Sequence, residues 1–160
     1  MSTAAELVAA LRERGWTLGV AESLTGGAVS SAIVAVPGAS SVLQGAVVAY
    51  ATPVKHSLLG VDAALLDERG PVDPDVAAQM AEGVRAAVAV AGRPADVGVA
   101  TTGVAGPESP DGQPVGTVHI GVATPEGLRS FPFRFSGDRD EIRRQSVDAA
   151  LAAVLRVVGE

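Results

Sequence analysis

The stretch from Trp16 to Val36 constrains this chain more than any other. Trp16-Thr17-Leu18-Gly19-Val20-Ala21 is an apolar run of strand length, and Ala28-Val29-Ser30-Ser31-Ala32-Ile33-Val34-Ala35-Val36 has the spacing of an amphipathic helix. Only Glu22-Ser23-Leu24-Thr25-Gly26-Gly27 separates them. A buried strand that enters a helix through so short a turn predicts a βα unit, and hence an α/β fold. The same turn carries hydroxyls, which leaves two readings open. Ser23 or Thr25 caps the helix while the glycines shape the turn. Alternatively, the turn presents a nucleophile, with backbone N–H groups of the helix start aimed at a developing oxyanion.

The remaining elements extend the α/β pattern. Thr3-Ala4-Ala5-Glu6 reads as a capping box opening a helix through Arg14, with Leu7, Ala10 and Leu11 on one face. Ser41 to Tyr50 reads as a long strand rich in β-branched residues, and Thr52-Pro53 as an N-cap followed by a first-turn proline. Asp62 and Asp73-Pro74 are further helix starts. The second opens a helix to about Val90, with Val76, Met80, Val84, Ala87 and Val88 as its buried stripe. Asp96 to Thr102 is a buried strand, Gly103 to Pro107 an irregular turn and residues 108–114 a polar loop. Val115 to Thr124 and Leu128 to Phe135 pair as a hairpin, and a last helix runs from near Asp138 to Val158. Early alternation and a late hairpin predict a mixed sheet covered by helices on both faces, within one domain over residues 1–160.

Composition removes several function classes. The net charge is −6 with no basic cluster, which argues against a nucleic-acid partner. With no cysteine, disulfides, thiol catalysis and Cys-ligated zinc are excluded. No apolar run is long enough to cross a bilayer, and Met1 to Glu6 lacks the basic and apolar regions of a secretory signal, so the cytoplasm is the expected compartment. There is no HExxH, phosphate-loop or GxGxxG motif, so neither a metal nor a cofactor is expected. The two histidines, His56 and His119, have no local pattern of a Ser-His-Asp triad.

A lysine then comes forward as a base. Lys55 is the only lysine beside eleven arginines, five positions after Tyr50. A desolvated lysine can lose its proton, whereas arginine effectively cannot. A neutral Lys55 would be able to take the proton of Ser23, with the Tyr50 phenol relaying or orienting it. The competing reading is a solvated helix lysine in an arginine-favouring chain, and spacing alone does not decide between them.

Five segments in order give a further handle. They are Ala21-Glu22-Ser23-Leu24-Thr25-Gly26-Gly27; Gly45 to Tyr50 with Lys55 and Leu59-Gly60-Val61; Thr102-Gly103-Val104-Ala105-Gly106-Pro107; Pro114 to Val118; and Phe135-Ser136-Gly137-Asp138-Arg139 with Arg143. Together the chain resembles the C-terminal domain family of the competence/damage-inducible protein CinA. The resemblance implies a three-layer α/β/α sandwich and hydrolysis of the carboxamide of nicotinamide mononucleotide to nicotinate mononucleotide and ammonia. It places Ser23 as nucleophile, Lys55 as base and Tyr50 as assisting phenol, in a metal-independent acyl-enzyme scheme, and implies a homo-oligomer. Glu22, Thr25, Gly26, Gly27, Thr102, Gly103, Ala105, Gly106 and Arg139 become the expected substrate contacts, with Arg143 a second candidate for the phosphate. Two positions depart from the usual family pattern: Asp73, where serine is common and where Asp caps equally well, and Gln113, where lysine is common. The alternatives are a ligand- or partner-binding module of the same fold, or an amidase for another small amide.

Overall fold

The computed structural model describes residues 1–160. In chain order the elements are α1 (Thr3–Arg14), β1 (Leu18–Glu22), α2 (Ala28–Val34), β2 (Leu43–Val48), α3 (Thr52–Leu59), α4 (Ala63–Arg69), α5 (Pro74–Ala87), β3 (Val97–Gly103), β4 (Thr117–Thr124), β5 (Gly127–Arg134) and α6 (Arg139–Gly159). The strands form a five-stranded sheet in the order β2-β1-β3-β4-β5. β1 is parallel to both β2 and β3, while β3–β4 and β4–β5 are antiparallel. This is the mixed sheet that the alternation of strands and helices predicts.

Two crossovers leave β1 and β2 on opposite faces. The connection through α2 runs over one face, where Val20, Val99, Ile120 and Val122 pack with α1, α2 and α6. The connection through α3, α4 and α5 runs over the other, where Ala21, Ala100 and Ala123 meet Val76, Met80 and Val84. The chain therefore turns one way from β1 to β2 and the other way to reach β3. The crevice at the carboxyl ends of β1 and β3 is a topological switch point, the usual ligand position in open α/β sheets.

Several boundaries differ from the sequence expectation for local reasons. β1 begins at Leu18 because Thr17 is held by a side chain, its N–H donating to Asp96 Oδ2 at 2.8 Å. Ser2, not Thr3, caps α1 by accepting from Ala5 N–H. Ala51 occupies the cap position of α3 and makes no side-chain cap bond, while Thr52 is already helical. A short 3-10 turn over Ala39–Ser41 delays β2 to Leu43. On α5, Val76, Met80 and Val84 are buried as expected, but Ala87 at the helix end is exposed.

The near-absence of aromatic residues has a packing counterpart. α5 lies so close to the sheet that a Cβ on Gly98 would stand 1.9 Å from the Ala81 carbonyl oxygen, and one on Gly121 2.0 Å from that of Ala77. Backbone cannot yield as a flexible side chain can. Gly121→Ala should therefore force α5 off the sheet and cost about 3 kcal/mol or more, lowering the melting temperature by about 10 °C. Chemical denaturation measures this; a loss below about 1 kcal/mol would mean that α5 slides freely on the sheet.

Candidate active site

The switch-point crevice opens as a cleft of about 640 Å³, lined by residues that follow β1, β2 and β3. Ser23 follows β1 directly and is 8% exposed. Lys55 enters from α3 and is 1% exposed, the largest fully buried side chain in the chain. Helical side chains lean toward the N-terminus of their own helix, and Lys55 in the first turns of α3 accordingly reaches back to the segment before it. Its Nζ donates to Ser23 Oγ at 2.9 Å, to the Ala49 carbonyl at 2.7 Å and to the Tyr50 carbonyl at 3.2 Å. Burial disfavours the ammonium and lowers the Lys55 pKa to about 8, against the opposing pull of the Asp111 carboxylate. The solvated-lysine reading is overturned.

Tyr50 is brought to the site differently from the expectation. The residue is 62% exposed at the cleft mouth, and its hydroxyl accepts from Arg139 Nη2 at 3.3 Å. The Tyr50 atom on Lys55 is the backbone carbonyl, not the phenol. Arg139 spans the mouth, since its Nη1 also donates to the Gly106 carbonyl at 2.6 Å. Thr102, Gly103, Ala105 and Gly106 line the cleft, and the Thr102 hydroxyl donates to the Pro71 carbonyl at 2.6 Å. The amides of Leu24, Ala105 and Gly106, all from cleft-lining residues, donate to no protein acceptor.

Four expected substrate contacts lie outside this lining. Glu22 is fully buried under α2, where its carboxylate accepts from Val29 N–H, Ser30 N–H and Ser30 Oγ at 2.9, 3.1 and 2.9 Å. Alternation along β1 sends Ala21 to the α5 face and Glu22 to the opposite one, so Glu22 serves as the capping carboxylate of α2. Thr25 is fully buried with its hydroxyl 2.8 Å from that of Thr101. Gly26 and Gly27, at φ 58° and 109°, shape the turn and are absent from the cleft walls. Arg143 also lies outside the lining, and its Nε and Nη2 donate to the Leu24 and Thr25 carbonyls at 2.9 and 3.3 Å.

Some contributors had no sequence signal. Glu108 and Asp111 bring two carboxylates to the cleft from the polar loop, and Pro71 and Val72 also line it. Nothing in their spacing marks them, because they act through a wall formed by distant segments. His119 lies on β4 opposite Thr102, outside the lining; burial lowers its pKa while Asp73 opposes the shift. Asp73 caps α5 by accepting from Asp75 and Val76 N–H, so its departure from serine is structurally satisfied. No three His, Asp or Glu side chains gather as a metal-ligand set, and no helix is long and apolar enough to cross a membrane.

A serine at the switch point of a doubly wound α/β sheet, with a buried lysine on its hydroxyl, defines the class of site. The chain belongs to the CinA C-terminal domain family, whose model matches residues 1–158. It is 48% identical over 160 residues to a CinA-like protein of Gloeobacter violaceus, covering 98% of this chain and 36% of that protein. It is 47% identical over 148 residues to a CinA-like protein of Frankia casuarinae, covering 92% of this chain and 33% of the relative. The chain thus spans about a third of the length of these curated relatives. Among solved structures, a CinA superfamily protein of Klebsiella pneumoniae superposes with a TM-score of 0.91 at 30% identity, covering 98% of this chain and 96% of that one. A competence/damage-inducible protein of Agrobacterium tumefaciens gives 0.88 at 30% identity, with 100% and 98% covered.

Proposed function

We propose that this chain is an amidohydrolase that removes ammonia from the carboxamide of nicotinamide mononucleotide, with Ser23 as nucleophile and Lys55 as general base. The observation that carries the reading is the bonding of Lys55 Nζ. A protonated lysine has three donors, and here three acceptors surround it. When Lys55 loses a proton, the Ala49 and Tyr50 carbonyls can keep the two remaining N–H groups. The lone pair then takes the third tetrahedral position, toward Ser23 Oγ at 2.9 Å. That arrangement suits removal of the serine proton as Oγ attacks the amide carbon.

The steps balance with water as the only co-reactant. Attack forms the Ser23 Oγ–carbon bond, and the proton passes to Lys55. Collapse of the tetrahedral adduct breaks the carbon–nitrogen bond, Lys55 returns the proton to the leaving nitrogen, and ammonia departs. Water then attacks the acyl-enzyme with Lys55 again as base, releasing the carboxylate and restoring Ser23. The amides of Leu24, Ala105 and Gly106 are among the uncommitted N–H groups lining the cleft that could serve as oxyanion donors.

Charge supports the substrate class. The cleft holds Arg139 at its mouth and Glu108 and Asp111 on one wall, so it offers both signs to a molecule that carries a phosphate and a cationic ring. Tyr50 lines the same cleft as Ser23 with its hydroxyl on Arg139 Nη2, from where the phenol can meet substrate or assist the proton transfer. Ammonia release from nicotinamide mononucleotide, compared with a panel of small amides, tests the reading; absence of release would refute it, and preference for another amide would redirect the substrate assignment.

The pH dependence follows from Lys55. The base must be neutral, and with a pKa of about 8 the neutral fraction falls about tenfold for each pH unit below that value. Turnover should therefore rise from pH 6 to a plateau above about 9, with one apparent ionisation near 8. Asp111→Asn removes the charge that favours the ammonium, so the ascending limb should move to lower pH. A flat profile between pH 6 and 9 would rule out Lys55 as the base. Stability carries the same sign: below pH 8 the folded chain bears the full cost of burying the ammonium, on the order of 3 kcal/mol. That cost is relieved as pH rises from about 8 to the ordinary lysine value of 10.5.

A further inference from the structure

The buried hydroxyl of Thr101 has no part in the chemistry above, yet it holds the chain at the nucleophile. Thr101 lies on β3 and is fully buried. Val97 and Val99, its alternate neighbours, point into the apolar layer beneath α1, α2 and α6, so strand alternation calls for another apolar side chain at this position. Its Oγ1 instead accepts the Ser23 N–H at 3.3 Å and lies 2.8 Å from the Thr25 hydroxyl.

The position of these bonds gives them a purpose. Backbone pairing of β1 with β3 ends at Ala21–Ala100. Beyond it, β1 lifts away from β3 into the turn, and no β3 carbonyl receives the Ser23 amide. The Thr101 side chain fills that gap, continuing the ladder where the backbones diverge. Through Thr25 it also grips the far side of the same turn. A residue in this place sets the height of Ser23 over the sheet without lining the cleft.

We infer that Thr101, paired with Thr25, is a positioning residue that fixes the backbone of Ser23 and with it the approach of Ser23 Oγ to Lys55. The inference rests on the proposed role of Ser23 as nucleophile, but not on the identity of the substrate. It has a second consequence. The Ser23 amide is committed to Thr101, so an oxyanion would find its donors among the uncommitted amides that follow, beginning with Leu24.

Thr101→Val keeps the shape of the side chain and removes the hydroxyl; Thr101→Ser keeps the hydroxyl and removes the methyl. The test reads the rate at which a fluorophosphonate probe labels Ser23, together with kcat and KM for nicotinamide mononucleotide and the thermal melt. A displacement of about 1 Å at a reacting atom costs up to about a hundredfold. Thr101→Val should accordingly lower both the labelling rate and kcat by about 10- to 100-fold while KM changes less than about threefold. Thr101→Ser should stay within about threefold of the parent on every reading. Parent-like labelling in the valine variant, a loss carried by KM alone, or a serine variant as slow as the valine variant would overturn the inference. If the valine variant does not fold, Thr101→Ala and Thr25→Ala each remove one hydroxyl of the pair and are judged by the same readings. If the parent labels at Ser23 but does not hydrolyse nicotinamide mononucleotide, the substrate assignment fails and the labelling rates alone decide the role of Thr101. Failure of the parent to label at Ser23 would sink the positioning role together with the nucleophile.

Discussion

Ser23→Ala is expected to fold as the parent does and to lose about a thousandfold or more of its turnover. The substitution removes one oxygen from a side chain that is 8% exposed. Lys55 keeps the Ala49 and Tyr50 carbonyls as acceptors for two of its N–H groups and loses only the third acceptor. The turn retains its other ties, from Thr101 to the Ser23 amide and from Arg143 to the Leu24 and Thr25 carbonyls. Stability should fall by about 1 to 2 kcal/mol, the cost of the lost acceptor on Lys55, while the covalent route disappears with the nucleophile. Steady-state ammonia release and a thermal melt on the same preparation give both numbers. Substantial turnover in a normally folded alanine variant would assign Ser23 to the turn alone.

Lys55→Arg should be nearly as inactive as Lys55→Met, although it preserves the charge. Arginine stays protonated, so it cannot accept the serine proton, and its planar fork does not match three acceptors arranged around a single nitrogen. The site also has little room, since Lys55 is 1% exposed. Methionine is the control for folding, because it fills a similar volume with no charge to bury. Turnover at saturating substrate discriminates the roles: a base is lost in both variants, whereas an anchor for an anionic substrate would survive in arginine. Robust turnover in the arginine variant would end the general-base assignment and pass proton transfer to another group.

The βα unit at Trp16 to Val36, the helix starts at Asp62, Asp73 and Asp138 and the late hairpin were legible because each depends on neighbours a few residues away. Apolar spacing, a capping carboxylate and a glycine that accepts positive φ are local signals. The singular lysine and the Ser23 turn were legible as chemistry for the same reason: residue type restricts what they can do. Family membership was readable too, since five short segments keep their order through the chain.

Tertiary structure alone decided which atoms meet. Ser23 and Lys55 are 32 positions apart and touch because β1, β2 and β3 end at one crevice. Tyr50 was expected to offer its phenol, but the chain direction at the end of β2 gives Lys55 its carbonyl and sends the ring outward. Glu22 adjoins the nucleophile in sequence, and strand alternation turns it to the other face to cap α2. Arg139 and Arg143 stand one helical turn apart on α6. One bridges the cleft mouth and the other binds the turn from behind. Thr101 and Asp111 carry no spacing signal, because their roles come from a neighbouring strand and a facing loop. Periodicity assigns a side chain to a face of its own element; which partner waits there is set only when distant elements pack together.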